Sequence, residues 1–343
     1  MLCGANTAAR FVITLVAIVM MAGLVAPTSA QDKKKAPAAQ QPAKPKVPKP
    51  EDFTVQTADV ELHCTYYPST KGKEAVPVIL VHPLGGRRTE LDGLAKQLQE
   101  QGDHAVIVPD LRGHGDSNIR KIPGRDSIEI TSDDLNAADL ARMATSDFVL
   151  LKNELIGRHN AGEFNIDLLT LVGVELGSNL ALHWAAVDWS QPAVTVRLGR
   201  DVKAVVMVSP VSSYKTLRIT PPNGPLGSPP VRAGLSLMTI GGVNDPKMKQ
   251  ELARINNLVV KFHPEPTKLA NESEEDFEKR YYLKKDYFMR EKPTTLQGME
   301  LLKAPNMKVA TDILGFIKLR IVDQLAEKNL PAWEGERRKD PVP

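Results

Sequence analysis

LLTLVGVELGSNLAL, running from Leu168 to Leu182, decides the fold. Leu168 to Val172 is an apolar run with turn residues at its end, which suits a central parallel strand covered on both faces. Gly173 and Gly177 then bracket Glu175. A strand that turns sharply into a helix has no room for side chains two residues before or after the apex, so glycine is required at both places. Glu175 is left exposed at the apex, and the residues after it start a helix.

Outward from this stretch, strands and helices alternate. Phe53 to Thr57 and Val60 to Tyr66 alternate apolar and polar residues around Ala58-Asp59, predicting an antiparallel hairpin at a sheet edge. A buried strand over Val76 to Val81 runs into the turn His82-Pro83-Leu84-Gly85-Gly86. A helix over Thr89 to Gln101 and a strand over Ala105 to Val108 follow. One long helix is expected over Asp133 to Ile156. Beyond the elbow come strands at Val202 to Val208 and Leu235 to Ile240, separated by a Pro- and Gly-rich loop from Pro210 to Pro230. A short helix from Pro246 to Asn256, a strand from Leu258 to Phe262, a charged stretch from Glu265 to Lys292 and a last helix from Asn306 to Ala326 complete the pattern. The expected class is α/β: a doubly wound, mostly parallel sheet with helices on both faces and an antiparallel N-terminal hairpin.

The first 50 residues read differently. Arg10 precedes the apolar run Phe11 to Val25, and Thr28-Ser29-Ala30 supplies small residues for cleavage, so residues 1–30 are expected to be a signal peptide and the protein exported, periplasmic or secreted. An uncleaved signal anchor is the alternative; the run is shorter than the ~20 residues that a spanning helix wants. Residues 31–50, rich in Lys, Pro, Ala and Gln, are expected to be a disordered tether and a solvated spacer, with contact to anionic envelope polymers or lipid as the alternative. The folded domain is expected over 51–327 and a flexible tail over 328–343. Seven of the 44 basic residues but one of the 41 acids fall in the first 50 positions, so the remainder is mildly acidic. Together with the lack of a basic and aromatic pattern, this argues against nucleic-acid binding. Cys3 lies in the leader, which leaves Cys64 alone and excludes an intramolecular disulfide. No spacing of His, Cys and carboxylates predicts a metal site.

Three blocks carry a resemblance. VILVHPLGG (Val78 to Gly86), VPDLRGHGDS (Val108 to Ser117) and LVGVELGSNLAL (Leu171 to Leu182) resemble, in order, the first core strand with its oxyanion loop, the Arg-Gly-His-Gly block and the nucleophile elbow of the α/β-hydrolase fold superfamily, in its capless esterase or serine-aminopeptidase style. The resemblance covers roughly residues 53–325 and implies no cofactor. It places the oxyanion-hole N–H groups at Leu176 and Leu84 and the catalytic acid at Asp245, which otherwise reads as a helix cap before Pro246. In place of the elbow serine stands Glu175, and TTLQGMELL (Thr294 to Leu302), similar to the family's histidine-glycine loop, holds Gln297 at the base position. His263, after the expected strand over 258–262, is the competing base.

A hydroxyl nucleophile, an imidazole and a carboxylate make a serine hydrolase, and Glu175 replaces the first while Gln297 cannot act as the second. The resemblance therefore implies a catalytically degenerate member whose cleft binds a small acyl or carbonyl-type ligand. Arg87 and Arg88 read either as partners of Glu175 or as solvated charges. The alternative is a hydrolase with a carboxylate nucleophile, using Glu175, Asp245 and His263 on an ester, epoxide or haloalkane.

Overall fold

Eight strands form one sheet in the order β1-β2-β4-β3-β5-β6-β7-β8: β1 Glu51–Gln56, β2 Glu61–Tyr67, β3 Pro77–Val81, β4 Ala105–Pro109, β5 Leu169–Val174, β6 Val202–Val208, β7 Ser236–Gly242 and β8 Tyr287–Lys292. This computed structural model describes residues 47–191 and 198–342; the expected signal peptide and most of the expected tether lie outside the described residues. β1 and β2 are antiparallel, β2 runs antiparallel to β4, and every pairing from β4 through β8 is parallel. No described helix is long and apolar enough to cross a membrane.

The central strands are predominantly apolar because each face meets a different core. In β3, Ile79 and Val81 point into one core while Val78 and Leu80 point into the other, the period-2 consequence of the pleat. The first core is closed by α2 (Ala137–Ala144), α3 (Ser146–Asn160), α4 (Leu176–Ser190), the short α5 (Pro229–Gly234) and α6 (Pro246–Val259), through residues such as Phe148, Leu155, Trp184, Val231 and Ile255. The second is closed by α1 (Asp92–Gly102), α8 (Gly298–Lys303) and α9 (Val309–Ile317), through Leu94, Leu98, Leu301 and Phe316.

Four expectations need correction. Residues 258–262 are not a strand: α6 runs on to Val259 because Met248, Leu252, Ile255 and Val259 continue one buried helical stripe, and a 3-10 turn ends it. The last strand is instead β8, an edge strand inside the charged stretch, preceded by α7 (Glu274–Lys284). The long helix from 133 is two helices, broken at Thr145, whose φ and ψ of -131° and -88° are not helical. The last helix is likewise interrupted, by a π-helical turn over Lys318–Val322.

The fourth correction concerns residues 328–343. The segment is pinned to the protein body: Asn165 Nδ2 donates to the Pro331 carbonyl at 3.1 Å, Trp333 Nε1 to the His159 carbonyl at 3.2 Å, and Arg337 pairs with Asp167 and Asp201. At its end, Asp340 joins a buried cluster in which Lys152 Nζ lies 2.5 Å from Asp188, 2.6 Å from Asp201 and 2.5 Å from Asp340. Those three carboxylates are close enough together to hold a metal ion, but the Lys152 ammonium already stands among them. The charges that make the tail read as solvated are the groups that fasten it.

Candidate active site at the strand-helix elbow

The elbow forms as its glycines require. A Cβ at Gly173 would lie 2.2 Å from the Gly177 carbonyl oxygen, and one at Gly177 would lie 2.2 Å from the Val81 oxygen. Glu175, between β5 and α4, is held at φ 50° and ψ -113°, a conformation costing about 1–3 kcal/mol in a residue with a side chain. Its N–H donates to the Val208 carbonyl at 2.9 Å, and its own carbonyl accepts from Ser178 N–H at 2.9 Å.

The Glu175 carboxylate reaches the start of α8. Gly298, at φ +52°, lies directly beneath it: a Cβ there would stand 1.9 Å from Glu175 Oε1. Burial raises the pKa of Glu175, and the charge of Glu300 raises it further. Arg88 does not neutralise it, being paired with Asp110 and, at 2.7 Å, with Asp116, while Arg87 lies 4.0 Å from Glu90.

Gln297 turns to the backbone of β7. Its Oε1 accepts from Gly242 N–H at 3.2 Å and from Ser209 Oγ at 3.0 Å, and its Nε2 donates to the Gly242 carbonyl at 2.7 Å. Ser209 Oγ in turn accepts from Gly298 N–H at 2.8 Å. The amide thus pairs with one residue's N–H and C=O as a neighbouring strand would, stapling the 294–298 loop to the sheet. Gly242 is the matching half, since a Cβ there would be 2.4 Å from the Leu296 oxygen and 2.9 Å from Gln297 Nε2.

Asp245 accepts from Lys247 N–H at 2.9 Å and caps α6; the side-chain bonds of Gln297 go to Gly242 and Ser209. Leu176 is the first residue of α4, so its N–H is one of the helix's open donors. Leu84 sits in the turn closed by Gly86 N–H to the Pro83 carbonyl at 3.1 Å. A Cβ at Gly177 would approach both the Val81 and His82 oxygens, so the elbow and the loop from His82 to Gly86 are in direct contact. Beside that loop, at the ends of β3 and β4, a cavity of about 330 Å³ is lined by Gly85, Arg88, His114, Asp116 and Thr131 among others.

His263 is not brought to the elbow. Its Nδ1 lies 2.7 Å from Asp286 Oδ1 and its Nε2 2.7 Å from the Arg232 carbonyl. Asp286 precedes β8 and bonds Leu237 at the start of β7, so His263 stands at the N-terminal ends of parallel strands and Glu175 at the C-terminal ends. Its sequence assignment depended on a strand that is a helix. His82 is fixed at both nitrogens, by the Pro83 carbonyl at 2.7 Å and Leu111 N–H at 3.0 Å, and burial, then His114, lowers its pKa to about 4. Ser178 Oγ donates to the Gly173 carbonyl at 2.8 Å. Among the described residues, no serine hydroxyl hydrogen-bonds an imidazole.

Sequence reasoning missed Glu300, Ser209, Gly242 and Gly298 as members of the site. The Gln297-Gly298 dipeptide was the available signal, because a glycine directly after the base position opens the space that the longer Glu175 side chain fills.

One outcome follows from the pKa of Glu175. A carboxyl with a raised folded-state pKa contributes its stabilisation below the ordinary carboxylate range and loses it as pH rises through the raised value. Glu175→Gln is therefore expected to melt above the wild type near pH 8 and level with it near about pH 4. A melting-temperature difference that does not change with pH would contradict the ionisation cost at the elbow.

The eight-stranded order, the elbow and the loop packed on it define an α/β hydrolase, and the chain belongs to that family: the model described as "Alpha/beta hydrolase family" matches residues 78–306. Among solved structures, it is similar to a fungal esterase from Rhizomucor miehei at 12% identity and TM-score 0.54, covering 83% of this chain and 85% of that one. A hyperthermophilic esterase from the archaeon Pyrobaculum calidifontis matches at 12% identity and TM-score 0.50, covering 80% and 84%. An acylaminoacyl peptidase from Pyrococcus horikoshii matches at 14% and 0.51, covering 81% of this chain and 42% of that one. A search of curated protein sequences found no match.

Proposed function

We propose that this protein is an exported α/β-hydrolase-fold protein without serine-hydrolase chemistry, working as a binding or scaffold module. The observation that carries the reading is the commitment of Gln297: at the base position it is an amide, and its bonds go to Gly242 and Ser209. A neutral amide takes no proton from a nucleophile, and the apex offers a carboxyl instead of a hydroxyl. The less altered part of the machinery is the electrophile-binding part, to which the family resemblance assigns Leu176 and Leu84, and it suits a small acyl or carbonyl-type ligand. Export rests on the apolar run Phe11 to Val25 and the small residues after it, and contact with the cell envelope on the Lys- and Pro-rich tether.

The carboxylate-nucleophile alternative requires a histidine to activate water against a glutamyl ester. His263 has both ring nitrogens engaged at the other end of the sheet, which removes the support that the sequence gave this reading.

The test is a fluorophosphonate probe together with p-nitrophenyl acetate. The purified protein is expected to take up no label and to hydrolyse the ester no faster than the buffer does. A labelled serine with matching hydrolysis would overturn the proposal.

A further inference from the structure

Arg112, Lys152 and Arg337 are deeply buried cations, and each holds two or more carboxylates. Arg320 is treated differently. Its Nε donates to Ser236 Oγ at 3.0 Å and its Nη1 to the Leu283 carbonyl at 2.7 Å, both neutral acceptors, and among the described residues no carboxylate stands within ion-pair distance of it. Asp286 is the opposing charge in its surroundings, but that carboxylate is bonded to His263 Nδ1 at 2.7 Å. Burial accordingly holds the Arg320 guanidinium below its ordinary pKa range, with Asp286 acting against the shift. A half-buried guanidinium without an ionic partner carries a partly uncompensated desolvation cost that an incoming anion relieves.

The backbone gives a reason for this placement. Arg320 is the middle residue of the π-helical turn Lys318–Val322, and an extra residue in one turn re-aims the side chains that follow it. Such turns occur often at functional sites. Here Arg320 lines a groove of about 450 Å³ between α7 and the end of the chain's last helical segment. Across it stand Lys279 and Lys284 of α7, exposed and, among the described residues, in no salt bridge. Arg280, on the same face, is already clamped on Glu272 at 2.6 Å. Of the two acids in the lining, Asp276 accepts from Ser273 Oγ at 2.6 Å, and Glu327 remains at the rim.

We propose that this groove binds a phosphate-type oxyanion, with Arg320 as the anchor and Lys279 and Lys284 closing on it from α7. A planar guanidinium with spare N–H groups and two mobile ammonium groups match the several acceptors of a tetrahedral oxyanion. The space exceeds that of a bare phosphate, so the group arrives as a phosphate ester, either soluble or at the head of a lipid. Because the groove lies at the N-terminal ends of β7 and β8, opposite the elbow, it is independent of the chemistry at Glu175.

The test titrates the full chain with inorganic phosphate, pyrophosphate and glycerol phosphate by calorimetry, and with phosphatidylglycerol vesicles against phosphatidylcholine vesicles by co-sedimentation. Saturable binding is expected, weakened about tenfold or more by Arg320→Gln and reduced by added salt. Lys279→Ala with Lys284→Ala is expected to weaken it too, and this exposed pair gives an answer even if Arg320→Gln disturbs packing at Ser236. Preference for the anionic vesicles over glycerol phosphate assigns the lipid source, and the reverse assigns the soluble one. No saturable binding to any of these probes, or equal affinity in the lysine pair variant and the wild type, would overturn the proposal.

Discussion

Replacing Lys152 by methionine is expected to destabilise the protein by about 3–5 kcal/mol, the usual consequence of removing one partner from a buried ionic group. Lys152 is fully buried and touches Asp188, Asp201 and Asp340 together. Without its charge three carboxylates remain in a region that water does not reach, with Arg337 the cation left to them, on Asp201. Chain truncation after Leu330 is expected to act through the same cluster from the other side, since it removes both Arg337 and Asp340. Asp340→Asn should cost less, because the backbone of residue 340 keeps its N–H bond to Asn153 Oδ1 at 2.6 Å and its carbonyl bond from Asn153 Nδ2 at 2.9 Å. Urea unfolding measures all three as a fall in midpoint at unchanged slope. If Lys152→Met unfolds within about 0.5 kcal/mol of the wild type, the cluster is not what fastens the tail.

The second large effect is a gain. Glu175→Ser alone and Gln297→His alone are both expected to remain inert to a fluorophosphonate probe, the first for want of a base and the second for want of a hydroxyl. Combined, they should restore labelling and raise ester hydrolysis by about 10²–10⁴-fold over either single change, the contribution of general-base catalysis. An intact triad is worth about a millionfold in kcat, and the double variant should fall well short of that. Asp245 is occupied in capping α6, and the new imidazole gives up the amide staple to Gly242. Labelling of the Glu175→Ser variant by itself would show that another base faces the elbow and that Gln297 is not the lost position.

Both predictions rest on features of different legibility. The elbow could be read directly: a Leu and Val strand, two glycines and an apex residue are local, and sterics within ten residues leave one solution. The identity of the apex residue, a glutamate where the family resemblance expects a serine, was legible for the same reason. His263 shows the opposite case. Leu258 to Phe262 is a short apolar run, which periodicity alone does not assign to strand or helix, and the wrong choice moved a histidine from one end of the sheet to the other. β8 escaped notice because an edge strand needs few apolar residues, and its charged neighbours resembled a loop. The tail was misread because charge in sequence suggests water, whereas Arg337 and Asp340 meet their counter-charges only after the chain has folded.

The sequence by itself determined the architecture, the order of the strands' motifs and the residue types at Glu175 and Gln297, because each is written in contiguous residues whose backbone geometry has few alternatives. Tertiary structure alone decided what those residues touch. It turned Gln297 onto the Gly242 backbone and set Glu175 over Gly298. It also gathered three aspartates from distant parts of the chain around Lys152 and, among the described residues, left Arg320 without a salt-bridge partner. Pairings between residues far apart in the chain depend on where the core brings the elements together, and that information belongs to the packing of the whole sheet.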